Sequence, residues 1–223
     1  MIRANSAMLA VPVGERDHIR GPADAPITLV EYGDYECPYC GTAHPVINEL
    51  RRRLGRRLQV VFRNFPCPDA HPHAQRAAEA AEAAAAQGKF WEMHDTLFEH
   101  FYRLEDADLV RYAADLGLDV KRFERDLAER IYAPRVQEDV RGGLQSGVNR
   151  TPTFFINGVR HGGFFSLDGL LQAIEGGPGG AAPPTPPMVD GEVPAADVAA
   201  DKVLEASWES FPASDAPGWR DHA

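Results

Sequence analysis

Cysteine is scarce in this chain: there are three in 223 residues, Cys37, Cys40 and Cys67. An odd, low count excludes a fold held together by a framework of structural disulfides. Long apolar runs are missing as well. No segment approaches the length needed to cross a bilayer. The N-terminus (MIRANSAMLAVPVGERDH) carries one early arginine and one short apolar piece, Ala7 to Val13, interrupted by Pro12. That is not the pattern of a secretory signal, and the expectation is a cytoplasmic protein. Excess positive charge is absent too. The formal charge of −10 speaks against nucleic acid or an anionic membrane as a partner. It is unevenly spread: from Gly176 onward eight acidic residues face only Lys202 and Arg220, a balance of −6 that leaves −4 for residues 1–175. With 44% hydrophobic and 25% charged residues, what remains is an ordinary globular composition with room for one sizeable core.

Two of the three cysteines stand three positions apart in Glu36-Cys37-Pro38-Tyr39-Cys40-Gly41, just after the apolar run Ile27–Tyr32. In a reducing compartment such a pair is catalytic or metal-binding rather than structural. Thr42 to Leu54 reads as a helix. With Cys37 as its N-cap, Pro38 occupies the first helical position, where a missing N–H is harmless and φ is already helical. The Cys37 sulfur is then predicted to face the unpaired amides of Tyr39 and Cys40 at the positive end of the helix dipole. A thiolate gains more there than a thiol, so Cys37 is expected to have a depressed pKa and to act as a nucleophile. Cys40, one turn on, shares its face and can close a disulfide with it.

Along the chain, residues 1–20 read as an irregular lead-in, with at most one edge strand before Pro26. Ile27–Tyr32 and Leu58–Phe62 are short apolar strands flanking the CPYC helix, a right-handed βαβ unit on a parallel sheet. Pro45 predicts a kink in that helix, and Arg51, Arg52, Arg53, Arg56 and Arg57 complement its negative end. Helices are expected over Ala74–Gln87, around Phe90–Phe101, over Asp108–Leu116, after the cap Asp119 with Leu118 and Phe123 as a staple, and over Tyr132–Leu144. Thr153–Ile156 and Val159–His161 form a hairpin about Asn157-Gly158, and Ser166 caps a last helix. The order β–α–β, helices, β–β–α is an α/β sheet with an all-helical insert at about residues 72–147. Gly176 to Pro194 is a Pro/Gly/Ala-rich linker. Residues 195–223 form an acidic tail whose Trp208 and Trp219 suit docking, on this domain or on a partner.

This order, with a CPYC motif opening a helix, resembles the thioredoxin superfamily. The large helical insert and the string LVEYGDYECPYC resemble its DsbA-like branch. GPADAPITLVEYGD, FRNFP, HPHAQRAAEAA, GKFWEMHD and GVNRTPTFFING extend the resemblance over residues 21–175. It implies a thioredoxin-like mixed sheet, Cys37 as nucleophile and Cys40 as resolving thiol, with Pro38 and Tyr39 between them. It also implies that Thr151-Pro152 is the Thr–cis-Pro pair facing the disulfide, able to present the Thr151 backbone to an extended substrate. Glu31 matches the family's buried acid, a proton relay for Cys40 with a raised pKa; read from position alone, a solvated strand-end carboxylate is equally open. The tail, KVLEASWESFPASDAPGW, resembles a short bacterial motif to which no function attaches.

Other residues are ambiguous. Glu36 opposes thiolate formation at Cys37 if it lies close. Cys67, His71 and His73 offer three ligand types, but with no partner cluster a loop into the alanine-rich helix is the better account than zinc. His44 reads as a helix-surface residue. The expected function is thiol–disulfide exchange with protein or small-molecule thiols and disulfides, without cofactor or metal, and with reduction or isomerisation favoured over oxidation. The alternatives are a glutaredoxin-like glutathione-dependent reductase and a non-catalytic peptide-binding or chaperone module.

Overall fold

A computed structural model describes residues 8–176; the expected linker and acidic tail lie outside the described residues. Five strands form one sheet: β1 (His18–Arg20), β2 (Ile27–Gly33), β3 (Leu58–Asn64), β4 (Thr153–Ile156) and β5 (Val159–Arg160), in the order β1-β3-β2-β4-β5. β2 and β3 run parallel, Leu29 beside Val60 and Glu31 beside Phe62. β4 is antiparallel to β2, with Phe154 beside Glu31 on its other flank. Seven helices join them: α1 (Pro38–Leu54), α2 (Ala74–Ala85), α3 (Phe90–Glu99), α4 (Asp106–Asp115), α5 (Val120–Ala128), α6 (Ala133–Gln145) and α7 (Leu167–Glu175). This is the mixed α/β, thioredoxin-like arrangement expected, with α2–α6 between its two halves.

The near-continuous apolar sequence of β2 is that of a strand covered on both faces. Leu29 meets Ala43, Ile47, Leu50 and Leu54 of α1 and Leu170 of α7. Val30 and Tyr32 point the other way, toward Phe65, Phe155, Val148 and the lead-in residues Leu9 and Val13. With a period of two, Glu31 shares the face of Leu29 and is carried beneath α1. Tyr35, Cys37, Cys40 and Phe62 join the separate apolar core of the helical insert, with Met93, Leu97 and Phe98 of α3. The active-site end of α1 therefore lies where the sheet and the insert meet.

Local signals decide most boundaries. Asp119 accepts a hydrogen bond from the Arg122 amide at the start of α5, and Ser166 accepts one from Gly169 at the start of α7. Asn157 and Gly158 both take positive φ in the β4–β5 turn, as a primed hairpin turn requires. α1 runs through Pro45. α2 ends two residues before the expected Gln87, and α4 begins and ends slightly earlier than its sequence pattern implied. The lead-in is more ordered than its composition suggested. Fully buried Arg63 of β3 reaches across to fully buried Asp17 at 2.8 Å, to the carbonyls of Val11 and Pro12, and to the Tyr32 hydroxyl, tying residues 11–17 to the sheet.

Candidate active site

Cys37 is the N-cap of α1, in extended conformation, with Pro38 following at the first helical position. The chain turns into the helix there because the Cys37 amide donates to the Asp34 carbonyl and the Gly41 amide to the Cys37 carbonyl. Pro38 is exposed and Tyr39 half-buried, whereas Cys37 is 4% and Cys40 0% exposed. All three cysteines are free thiols.

The sulfur of Cys37 differs from expectation in one respect. No amide closes a hydrogen bond of capping geometry onto it; instead its thiol donates to the Thr151 carbonyl oxygen at 3.5 Å. The Cys37 pKa is nonetheless lowered to about 6. The largest cause is the Cys40 thiol acting as donor to the sulfur, and the Cys40 amide and the Thr151 side chain work in the same direction, against burial and the charge of Asp34. The helix start thus contributes through the residue at N3, but the neighbouring thiol contributes more. Cys40 is the converse: burial, first, and the nearby Cys37, Glu31 and Asp34 raise its pKa well above that of a free thiol. The two sulfurs are thus pushed in opposite directions, Cys37 toward the thiolate and Cys40 toward the thiol.

Thr151 and Pro152 lie opposite Cys37, and the peptide between them is cis. The Thr151 carbonyl lies two residues before the start of β4 and faces the Cys37 sulfur.

Glu31 lies buried beneath α1, between Phe62 and Phe154 in the sheet. It has no cation against it, and its Oε1 has no hydrogen-bond partner among the described residues. Burial, with a smaller contribution from Cys37, pushes its pKa up to about 8. Of the two positional readings for this residue, the solvated strand end is therefore excluded.

Four nearby residues, Glu36, Asp34, His44 and His94, take places that sequence position does not fix. Glu36 is turned away onto His73, whose Nδ1 and amide lie at 2.7 and 2.6 Å; the carboxylate that opposes the Cys37 thiolate is Asp34. Asp34 receives the amides of Glu36 and Cys67 and faces His71 Nδ1 at 2.8 Å, while its own amide donates to Cys40 Sγ at 3.4 Å. Nothing in the string YGDYEC distinguishes Asp34 from Glu36, because the choice depends on a loop 33 residues on. His44 is not a helix-surface residue: its side chain is 12% exposed, pressed between α1 and α3 against His94 and Phe98. His94 of α3 is buried beside Tyr35, whose hydroxyl lies 3.1 Å from Nδ1.

Metal-ligating groups converge once among the described residues, at His44, His94 and Asp95. Arg20 holds both Asp95 oxygens, at 2.6 and 3.1 Å, so that carboxylate is already neutralised and a guanidinium occupies the place of a cation. His71 and His73 each sit on a separate carboxylate, and with Cys67 they form the loop into α2 that the sequence implied. Cys67 is half-buried, and burial, then Asp34 and Cys37, push its pKa up to about 12.

A family model described as "Thioredoxin" matches residues 14–176. The chain belongs to the thioredoxin family. Within it the fold is DsbA-like. It superposes on oxidised BdbD of Bacillus subtilis with a TM-score of 0.68 at 23% identity, over 77% of this chain and 97% of that one. It also superposes on a thioredoxin-like oxidoreductase of Silicibacter pomeroyi, with a TM-score of 0.61 at 27% identity over 73% and 92%. In sequence, it is 53% identical over 167 residues to a Na(+)/H(+) antiporter NhaA 1 of Salinispora arenicola, covering 74% of this chain and 26% of that protein. A NhaA 1 of Mycobacterium sp. strain KMS is 50% identical, covering 73% and 27%. The chain spans about a quarter of the length of the curated relatives it matches. Among the described residues no helix is long and apolar enough to cross a membrane.

Proposed function

We propose that this thioredoxin-family domain is a thiol–disulfide oxidoreductase that exchanges a Cys37–Cys40 dithiol and disulfide with protein substrates. The observation that carries the reading is the opposed titration of the two sulfurs: Cys37 at about 6, and Cys40 held well above the ordinary thiol value. At neutral pH Cys37 is the thiolate nucleophile. It attacks a substrate disulfide, one substrate sulfur leaves as thiolate, and a Cys37–substrate disulfide forms. With Cys37 bonded to substrate, its charge no longer opposes ionisation of Glu31, and the carboxylate form of Glu31 takes the Cys40 proton as Cys40 attacks Cys37. The Cys37–Cys40 bond forms as the Cys37–substrate bond breaks, and the second substrate sulfur departs with the electron pair. Run backwards, the same steps oxidise a substrate dithiol.

Thr151 and Pro152 position the substrate chain against Cys37, and the Thr151 backbone lends a strand-like contact. In a reducing compartment such as the cytoplasm the pair works as a reductase or isomerase, since direction follows its potential relative to the surroundings. The antiporter activity in the name of the sequence relatives is not carried over, because the chain spans about a quarter of their length.

The test is reduction of insulin by the dithiol form, with wild type, Cys37→Ser and Cys40→Ser. The expected result is turnover by wild type, none by Cys37→Ser, and a stable mixed disulfide on Cys40→Ser. Undiminished turnover by Cys37→Ser would overturn the assignment. Turnover by Cys40→Ser that depends on glutathione would replace the dithiol route with a monothiol one.

A further inference from the structure

The proposed cycle leaves a proton on Glu31 that has to reach water before the next turnover. Glu31 is buried, and its Oε1 lacks a hydrogen-bond partner among the described residues. It opens onto a cavity of about 10 Å³ walled by Arg20, His44, Asn48, Arg51 and His94 along with apolar side chains. That volume is room for about one water molecule, and the walls supply the polar partners such a water needs. Next to it, an open groove of about 580 Å³ between α1 and α3 is lined by Gly41, Pro45 and Glu49, by Phe98 and Glu99, and again by His44 and Asn48. Only these two polar side chains face both spaces, and Asn48 Nδ2 stands 3.0 Å from His44 Nε2. They are the partition between the buried carboxylate and the surface. An amide does not exchange protons near neutral pH, whereas an imidazole takes one at one nitrogen and releases one from the other.

We propose that His44 passes the proton of Glu31 to and from bulk water through this cavity, acting through Glu31 as a positioning residue for the Cys40 step. The inference rests on the oxidoreductase reading above and adds a route to it. In the forward direction Cys40–SH gives its proton to the Glu31 carboxylate as its sulfur bonds to Cys37. The Glu31 carboxylic acid then gives the proton to the cavity side of His44, and the imidazole releases one into the groove.

The surrounding charges act on His44 in both directions. Arg20 of β1 and Arg51 of α1 line the cavity beside it and return a transient imidazolium to the neutral form. Asp95 of α3, 3.7 Å from His44 Nε2, and Glu99 of the same helix favour a transient imidazolium. Cys37 and Cys40 at the head of α1, and Tyr35 in the loop before it, are the other titratable groups coupled to Glu31. Burial lowers the pKa of His44, and lowers that of His94 far more, so both are neutral acceptors near pH 7. His94 lines only the inner cavity, with Nδ1 beside the Tyr35 hydroxyl, and does not reach the groove.

The experiment follows the second step alone. A mixed disulfide between Cys37 and a chromophoric thiol is preformed, and release of the thiol is timed by stopped flow across pH 5–9 for wild type, H44Q, H44A and E31Q. H44Q and H44A are expected to slow release about tenfold or more near neutral pH. Free imidazole should restore the rate of H44A but not of H44Q, and the first step, attack by Cys37, should keep its wild-type pH profile in both. Wild-type release by H44A and H44Q, or slow release by H44A that imidazole fails to restore, would overturn the route. The E31Q arm separates the two levels of the argument: wild-type release there removes Glu31 as relay, and His44 with it, while thiol–disulfide exchange itself stands or falls with Cys37→Ser.

Discussion

The Cys37 thiol donates to the carbonyl oxygen of Thr151 over 3.5 Å, joining residues 114 positions apart in the chain. One comes from the β–α–β half and the other from the β–β–α half, so the full setting of the nucleophile needs both halves of the sheet. Its chemistry is shared in the same way, since its largest stabiliser is not its own helix but the thiol one turn along.

That dependence predicts a shift. Replacing Cys40 by Ala removes the main donor to the Cys37 sulfur, and the Cys37 pKa should climb from about 6 by about one unit or more. Ultraviolet thiolate absorbance against pH, on the Cys67→Ser background, measures it. An unchanged midpoint would mean that the helix-start amides suffice alone.

Glu31 predicts a pH dependence of stability with an unusual sign. Its folded pKa of about 8 lies above the ordinary 4.5. Between those values the folded chain holds a proton that the unfolded chain has released, so stability falls as pH rises through the window. At pH 7 the penalty is about 3 kcal/mol. Glu31→Gln should therefore be more stable than wild type by an amount of that order at pH 7, and no more stable at pH 4. Urea unfolding at both values checks this.

The 11–17 segment predicts a large loss from a residue far from the sulfurs. In Asp17→Ala, Arg63 would keep the Tyr32 hydroxyl and two carbonyls but lose its buried counter-charge. Breaking one side of a buried ion pair costs about 3–5 kcal/mol. Equilibrium unfolding should report a loss in this range, with the Cys37 pKa untouched.

Cys67 should be a bystander at neutral pH. With its pKa at about 12, almost none of it is thiolate, so iodoacetamide should modify Cys37 at least about a hundredfold faster. Cys67→Ser should leave insulin reduction unaltered. Mass mapping of the first modified site decides it.

Much of this was legible in the chain. Continuous apolarity marked β2 and β3 as doubly covered strands, Asn157-Gly158 marked the hairpin, and Asp119 and Ser166 marked helix starts, because each is a local rule with a local cause. CPYC followed by a helix placed Cys37 at the N-cap for the same reason. What the sequence hid was set at long range. The exposure of His44 depended on α3 crossing α1, and the choice between Asp34 and Glu36 depended on where His71 and His73 would lie. The order of residues 11–17 depended on Arg63, whose partner Asp17 lies 46 positions away. Spacing shows the face of a helix on which a residue sits, but not what will be laid against that face.

Asp34 ties these threads together. Its amide touches the Cys40 sulfur, and its carboxylate collects the amides of Glu36 and Cys67 and the ring of His71. A single residue is thus the common anchor for the reacting pair, through its backbone, and for the loop entering the helical insert, through its carboxylate. Whatever moves the 67–73 loop moves an acid whose charge opposes the thiolate of the attacking sulfur.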